Sequence, residues 1–281
     1  MRAFDARVVE AVWRAVEPLI PERPEPFHPL GCHRRRIPNR ECFRGILIRL
    51  VTGCSWDVAA KLCRAGETTL RNRRSEWLAA GVFDVLAQEA IAGWDRIVGL
   101  DLSEVAIDGS QHKAPLGGEG TGPNPVDRGK CGWKWSIATD RSGIPIGWAT
   151  DGANRHDVTL FQPTLDRIAA AGLLVDIETL HLDRGYDCAR IRRACTDAGI
   201  DDLICARKRK RPLRSQPKSE PKQVPLGMRW PVERTNSWLS NFGQLRRNTD
   251  RFQHQRLAQF ALAITLIITV KLFDHADRWN T

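Results

Sequence analysis

The sequence predicts an α/β protein in which a mixed sheet is flanked by helices and preceded by an all-helical region. Two observations predict this. The first 94 residues carry apolar side chains at helical spacing, whereas short apolar runs typical of strands begin only after residue 95. The later signals alternate in the order strand, strand, strand, helix, strand, helix, strand, helix, which is typical of a three-stranded meander followed by βαβ units. We therefore expect two domains, 1–94 and 95–281.

The helical region contains a helix-turn-helix pattern. Ser55 is a good N-cap for a helix over 56–63, the turn 64–66 contains glycine, and a second helix is expected over about 67–80. The second helix carries three candidate DNA-binding residues, Arg71, Arg73 and Arg74. Such a helix can contact phosphates and base edges, although a solvated basic face of a helical bundle would explain the same residues. We favour DNA contact, because the turn and the arginines coincide.

The region after residue 95 alternates predicted strands and helices. The apolar runs predict strands over 105–107, 134–139, 144–149, 179–183 and 203–206, and helices over 158–171, 188–198 and 230–242. The last apolar run, 257–270, is interrupted by polar residues and is shorter than the roughly 18–20 residues of a membrane-spanning helix, so we expect a buried helix and no membrane partner.

Composition favours a polyanionic partner. The chain has 281 residues, 43 Lys and Arg against 33 Asp and Glu, a net charge of +10 and a pI near 9.6. A basic surface binds nucleic acid because each neutralised phosphate releases a counterion. Some basic proteins bind no nucleic acid, so charge alone leaves that alternative open. The N-terminus resembles no secretory signal and the eight cysteines form no CxxC pair, which predicts a cytoplasmic protein with reduced thiols.

Three carboxylates lie at positions where they can meet. Asp108 and Asp183 each end an apolar strand run, and Glu233 lies one turn into a predicted helix. If the first and fourth strands are neighbours, the two aspartates converge at one rim of the sheet, where ligands of α/β proteins collect. Carboxylate oxygens are ligands of Mg²⁺ and Mn²⁺. Each residue alone has an ordinary structural explanation, an Asp before a glycine turn or a Glu on a helix surface.

Several motifs in order resemble a known family. They are Ile107-Asp-Gly-Ser110, Asn154-Arg-His-Asp157, Asp183-Arg-Gly-Tyr-Asp187, and Val232-Glu-Arg-Thr235 with Trp238-Leu239 and Leu245-Arg-Arg247. Together they resemble the DDE transposases of bacterial insertion sequences, in the insertion-sequence-five group of the insertion-sequence-four superfamily. The resemblance runs from about residue 40 to residue 272.

The resemblance implies an RNase H-like catalytic fold and a metal-dependent reaction. It implies that Asp108, Asp183 and Glu233 bind Mg²⁺ or Mn²⁺ as two ions, with Asp108 bridging both. The implied partners are double-stranded DNA, as terminal inverted repeats and target DNA, and a second copy of the chain on paired ends. The implied location is the bacterial cytoplasm, at the nucleoid. We expect further DNA contacts from five basic residues near the site, Lys208, Arg229, Arg234, Arg246 and Arg247. A solvated loop at Lys208 and a solvated helix face at the four arginines would explain the same charges.

Two positions depart from the superfamily pattern. Leu226 stands where the pattern has Tyr, and Ser240 stands where it has Lys, and both positions usually help to hold the terminal DNA. Two other functions therefore stay open: a DNA-binding protein that has lost catalysis or been repurposed, and an RNase H-like nuclease that cuts without joining strands.

Overall fold

The computed structural model describes residues 2–23, 35–205 and 228–279. Its first part is all helical. The helices are α1 (Ala6–Val16), α2 (Asn39–Thr52), α3 (Trp56–Leu62), α4 (Glu67–Ala79) and α5 (Val82–Ile97). Ser55 caps α3 as predicted, since its hydroxyl accepts a hydrogen bond from the backbone N–H of Val58, and α2, α3 and α4 all contact one another.

The second part contains six strands and five helices among the described residues. The strands are β1 (Glu104–Lys113), β2 (Gly122–Pro123), β3 (Cys131–Thr139), β4 (Pro145–Gly152), β5 (Thr179–Leu182) and β6 (Asp202–Cys205). The helices are α6 (Asp157–Ala170), α7 (Ala189–Asp197), α8 (Trp230–Ser240), α9 (Gly243–Arg246) and α10 (Gln253–Trp279).

The strands form one mixed sheet. Its main order is β4-β3-β1-β5-β6, with the short β2 added at the start of β3. The β4, β3 and β1 pairings are antiparallel, whereas β1 pairs in parallel with β5 and β5 in parallel with β6. A three-stranded meander followed by parallel strands is the arrangement that the sequence predicted, and the predicted mixed sheet flanked by helices and preceded by a helical region is confirmed.

Alternation along β1 divides the protein into two hydrophobic layers. Val105 and Ile107 face one layer, in which β1 and β5 pack against α6 and α7. Ala106 faces the other layer, which contains α8, α10 and the N-terminal helices. Because successive side chains of a strand point to opposite faces, Asp108 lies on the same side as Ala106, toward α8.

The helical region shares its core with the sheet. One hydrophobic cluster includes Trp77 and Trp94 from the N-terminal helices, Trp135 from β3 and Phe260 from α10. Helix α5 packs along α10 with the most extensive helix–helix contact among the described residues. The change near residue 94 is therefore a change of secondary structure, not an interruption of the core.

Helix α10 is longer than the apolar run that predicted it. By length and composition this helix is apolar enough to cross a membrane, but core helices of soluble proteins can have the same length and composition. Of its most apolar window, 61% is buried inside the protein. The contiguous stretch 258–268 is buried. The expectation of a buried helix is met, although the helix covers 27 residues.

Candidate active site

Neighbouring strands bring the two predicted aspartates together. In the parallel pairing of β1 with β5 the last matched pair is Ile107 and Leu182, and Asp108 and Asp183 follow it directly. The predicted neighbourhood of these strands is confirmed. One detail differs, because Asp108 does not end its strand: β1 continues to Lys113 through antiparallel pairing with β3. The low apolar content of residues 109–113 hid this extension.

Helix α8 brings Glu233 to the same rim. The helix is anchored to the turn between β3 and β4, because the hydroxyl of Thr235 donates a hydrogen bond of 2.6 Å to the carbonyl oxygen of Gly143. Its buried face includes Val232 and Leu239, which leaves Glu233 with 57% of its side chain exposed.

All three carboxylates converge on the guanidinium of Arg229. Its Nη1 lies 3.2 Å from Oδ1 of Asp183, and its Nη2 lies 3.6 Å from Oδ1 of Asp108 and 3.5 Å from Oε1 of Glu233. Arg229 and Glu233 are four residues apart and therefore share one face of the chain entering α8. The group carries three acidic side chains around one basic one, so it has a formal charge of −2.

The charge excess and the burial affect Asp108 most. Burial raises the pKa of Asp108 from its ordinary value of 3.8 to about 6, while Arg229 and the N–H of Gly109 lower it and Asp183 and Glu233 raise it further. The neighbouring Arg229 therefore does not fully compensate the desolvation of this carboxylate. A second cation close to Asp108 would compensate this desolvation.

The side chains suit a hard divalent cation as donors. They are oxygen ligands, they approach from two strands and a helix, and they already surround one cationic group. Within the described ranges, however, no three His, Cys, Asp or Glu side chains meet closely enough to hold a metal directly, because the three carboxylates meet at Arg229. A metal held by all three carboxylates would take the place of the Arg229 guanidinium.

Two residues that sequence analysis did not single out, Lys134 and Asn236, complete the surroundings together with Asp157 of the predicted motif. Lys134, with 2% of its side chain exposed, donates a hydrogen bond of 2.6 Å to Oδ1 of Asp157. Asp157 approaches β1 so closely that a Cβ at Gly109 would lie 2.7 Å from its Oδ1. This close approach explains a glycine directly after Asp108. Asn236 donates a hydrogen bond to Asp108. The sequence feature that could have identified it is its position three residues after Glu233, on the same side of a predicted helix.

The prediction of DNA contact by Arg73 and Arg74 is wrong. Both side chains are buried, with 3% and 5% of the residue exposed. Arg74 lies 2.9 Å from Oδ2 of Asp250, and Arg73 donates to the carbonyl of Ile37 and the side chain of Asn39. They belong to the interior face of α4.

Arg71 lies on the opposite, exposed face of the same helix. Its side chain is 53% exposed and forms an ion pair with Glu67 one turn earlier. Thr68, Asn72 and Ser75 are exposed with it. Arg71 therefore stays a prediction for DNA contact, and the exposed face of α4 is the part of the helix-turn-helix pattern that is free to make it.

The remaining basic predictions fall into three groups. Arg234 does not present a free guanidinium, because it stacks between the rings of Trp230 and Trp238 at 4.5 and 4.8 Å and donates to the carbonyl of Ser142. Arg246 and Arg247 are exposed at the end of α9. Lys208 lies outside the described residues.

The two positions that depart from the superfamily pattern are Leu226 and Ser240. Leu226 also lies outside the described residues, and the hydroxyl of Ser240 donates a hydrogen bond to the carbonyl oxygen of Asn236 on α8.

Two family models match this chain. Residues 99–268 match the family described as "Transposase DDE domain", and residues 8–87 match "Putative transposase of IS4/5 family (DUF4096)". The chain is 41% identical over 137 residues to "Putative transposase for insertion sequence element IS402" of Burkholderia cepacia, an alignment of 47% of this chain with 60% of that protein. It therefore spans about three fifths of that relative. A 16.2 kDa protein of the same element is 35% identical over 118 residues, 41% of this chain and 79% of that protein.

Solved structures give a weaker likeness. A pre-cleavage Mos1 transpososome matches 92% of this chain and 81% of its own at 10% identity and a TM-score of 0.35, and a Mos1 paired-end complex with Mn matches 96% and 84% at 10% identity and 0.33. Scores this low carry no argument. The first family match covers more than half of the chain and contains all three carboxylates, and the chain belongs to the transposase DDE domain family.

Proposed function

We propose that this protein is a metal-dependent DNA transposase that cleaves at the ends of its own insertion sequence and joins them to target DNA. The observation that carries the proposal is the convergence of Asp108, Asp183 and Glu233 on a single cationic group at one rim of the sheet. The three acids come from separate elements, two neighbouring strands and a helix.

The carboxylates are the proposed ligands of divalent ions, Mg²⁺ or Mn²⁺ and two in number. When bound, such ions supply Lewis-acid stabilisation of phosphoryl oxygens and a lowered pKa for an attacking water. Asp108, the most buried of the three, lies on the strand between β5 and β3, and it would be the ligand common to both ions. Arg229 partly offsets the charge of the acids without the metal and, once displaced, would keep its own charge available to a phosphate.

The reaction that we propose has two steps of phosphoryl transfer. Water attacks the phosphodiester at the element's end and releases a 3′-hydroxyl, and this hydroxyl attacks a phosphodiester of the target. Each step breaks one P–O bond and forms another, so neither a covalent protein–DNA bond nor a redox partner is required. The exposed charges Arg71, Arg246 and Arg247 are the proposed DNA contacts of the described surface.

Two copies of the chain on paired ends, acting at the nucleoid in the cytoplasm, complete the proposal. Light scattering of the protein with a DNA carrying one terminal repeat tests the assembly. A mass of two chains and two DNA molecules is expected, whereas one chain per DNA contradicts the paired complex.

End cleavage and joining test the activity directly. The full chain would be incubated with DNA carrying the gene's flanking ends, in Mg²⁺ or Mn²⁺, beside Asp183→Asn, Glu233→Gln and the control Asp166→Asn. Asp166 is an exposed acid on α6. We expect metal-dependent nicking and strand joining for wild type and the control only.

The same assay separates the alternatives. Cleavage without joining indicates a nuclease on the same fold. Binding of the ends without cleavage indicates a repurposed or decayed copy, and Leu226 and Ser240 are then the first positions to change toward the superfamily pattern.

A further inference from the structure

Helix α8 presents a third polar residue to the candidate site. Arg229, Glu233 and Asn236 follow one another at intervals of four and three residues, so all three lie on one side of the helix. Asn236 is only 8% exposed, and its Nδ2 donates a hydrogen bond of 3.3 Å to Oδ2 of Asp108. This bond joins the helix that carries one predicted ligand to the strand that carries another.

The orientation of this amide is determined by a second bond. Nε1 of Trp135 donates a hydrogen bond of 2.8 Å to Oδ1 of Asn236. An indole N–H can only donate, so the amide oxygen must face Trp135 and the amide nitrogen must face Asp108. The indole N–H therefore resolves the usual ambiguity between the oxygen and nitrogen of an asparagine amide.

The tryptophan that orients Asn236 is itself held firmly. Trp135 is fully buried in β3. The ring of His112 stacks on it at 3.8 Å, and the rings of Trp133 and Phe260 lie at 5.3 and 5.2 Å. A donor packed on several sides cannot swing to another acceptor without repacking the core.

We propose that Asn236 is a positioning residue for Asp108, and that Trp135 holds Asn236 in the required orientation. The amide occupies Oδ2, which leaves Oδ1 toward Arg229 and the other carboxylates. The carboxylate thereby has one rotational position and presents one defined oxygen to a cation. Partners of this kind typically contribute 10-fold to 100-fold, in rough terms, to metal affinity. The inference rests on the proposed function.

The test is the affinity of the full-length protein for Mn²⁺ in the absence of DNA, measured from the electron paramagnetic resonance signal of free Mn²⁺. The variants are Asn236→Ala, Asn236→Ser and Trp135→Phe. The matched control is Trp133→Phe. Trp133 lies two residues away on the same strand and is equally buried, and its Nε1 has no hydrogen-bond partner among the described residues. Both Phe variants lose the same ring atoms, and only one loses the bond to Asn236.

We expect Asn236→Ala and Asn236→Ser to weaken Mn²⁺ binding by about 10-fold or more. Trp135→Phe should weaken it by a smaller factor in the same direction, and Trp133→Phe should stay within about twofold of wild type. In end cleavage, the Mn²⁺ concentration for half-maximal nicking should rise by a similar factor in the Asn236 variants. The rate at saturating Mn²⁺ should recover, because the ligands themselves are intact.

The outcomes distinguish the two levels of the argument. Wild-type affinity in folded Asn236→Ser, with an unchanged melting temperature, overturns the role of Asn236. Equal loss in Trp135→Phe and Trp133→Phe overturns the orienting role of Trp135. If wild type neither binds Mn²⁺ nor cuts its ends, the proposed function fails and this inference fails with it.

Discussion

Two clusters of acidic and basic side chains in this protein have opposite compositions. In one, Asp250 lies between Arg49 and Arg74, at 3.2 and 2.9 Å, and all three side chains are at most 6% exposed. In the other, Asp108, Asp183 and Glu233 surround Arg229, and their exposure rises from 20% to 57%. The first has an excess of basic groups and the second an excess of acidic ones.

The acid of the buried cluster, Asp250, is compensated by partners within the protein itself. Both guanidinium groups lie over the ring of Trp56, at 4.4 and 4.9 Å, and Gln259 donates a hydrogen bond of 2.5 Å to Asp250. These contacts join α2, α4 and the region before α10. Burial is the largest effect on the pKa of Asp250 and raises it, but the two arginines outweigh it and the net pKa is lowered.

The half-exposed cluster lacks such compensation, and the pKa of Asp108 is raised to about 6, chiefly by burial. Like charges held together at a solvent-facing rim repel one another unless a bound ligand of opposite charge offsets the repulsion. The contrast shows how to separate a structural cluster from a binding site: the number of acids per base and the access to solvent matter more than the presence of an ion pair.

The largest expected effect comes from neutralising one acid of the half-exposed cluster. Glu233→Gln should reduce end cleavage by at least about 1,000-fold, roughly 4 kcal/mol of activation free energy, because it removes a proposed metal ligand. The free energy of unfolding without metal should be unchanged or slightly higher, since repulsion among the acids falls. Quenched-flow or gel assays of nicking and urea unfolding measure the two quantities. A clear loss of stability in Glu233→Gln would mean that the half-exposed cluster stabilises the fold, as the buried cluster around Asp250 does.

Neutralising the acid of the buried cluster should have the reverse result. Asp250→Asn leaves Arg49 and Arg74 without their counter-charge and should lower the free energy of unfolding by about 3–5 kcal/mol. Urea unfolding measures it, with Asp166→Asn as the exposed control. A loss below about 1 kcal/mol would mean that the arginines find other partners.

The buried cluster should also make the stability of the protein depend on pH. Because the pKa of Asp250 is lowered in the folded protein, its contribution to stability is present above the ordinary carboxyl pKa and is lost as the pH falls through its lowered value. Urea unfolding between pH 3 and pH 6 should therefore show a steeper loss toward low pH in wild type than in Asp250→Asn. Parallel curves would contradict the lowered pKa.

The exposed and buried faces of α4 give a related contrast. Arg71→Gln should leave stability within about 0.5 kcal/mol but reduce the log–log salt slope of DNA binding by about 0.9, one phosphate contact. Arg74→Gln should lower stability instead. Filter binding across a range of salt concentrations measures the slope, and an unchanged slope in Arg71→Gln would remove this face from the DNA interface.

The strand-edge positions of the acids could be predicted because they depend on local patterns. An apolar run followed by Asp indicates where a strand meets the rim, and parallel order brings two such ends together. The burial of Arg73 and Arg74 could not be predicted in this way. Both look like surface residues of a helix-turn-helix until the fold supplies their partners, which are Asp250 for Arg74 and Ile37 and Asn39 for Arg73. Arg49, the other partner of Asp250, is 201 residues from it in sequence.

The extension of β1 beyond Asp108 was hidden for a similar reason. Residues 109–113 contain no apolar run, and their strand conformation comes from the pairing with β3 rather than from their own pattern. The role of Asn236 depends on Trp135, which is 101 residues away. Local spacing places a residue on a helix face, but only the fold determines what that face meets.

The smallest expected effect concerns Arg229, the single base of the half-exposed cluster. Its ion pairs are partly solvated, so Arg229→Gln should lower the free energy of unfolding by about 1 kcal/mol or less without metal. The same change removes the cation that competes for the acids, and Mn²⁺ should therefore raise the melting temperature more in Arg229→Gln than in wild type. Arg155→Gln is the control, since Arg155 is 62% exposed and forms an ion pair with Asp151, four residues earlier in the chain. An equal rise in all three proteins would mean that Arg229 does not occupy the place of the metal, and that the acids are held together by Arg229 for structural reasons, as Asp250 is by its arginines.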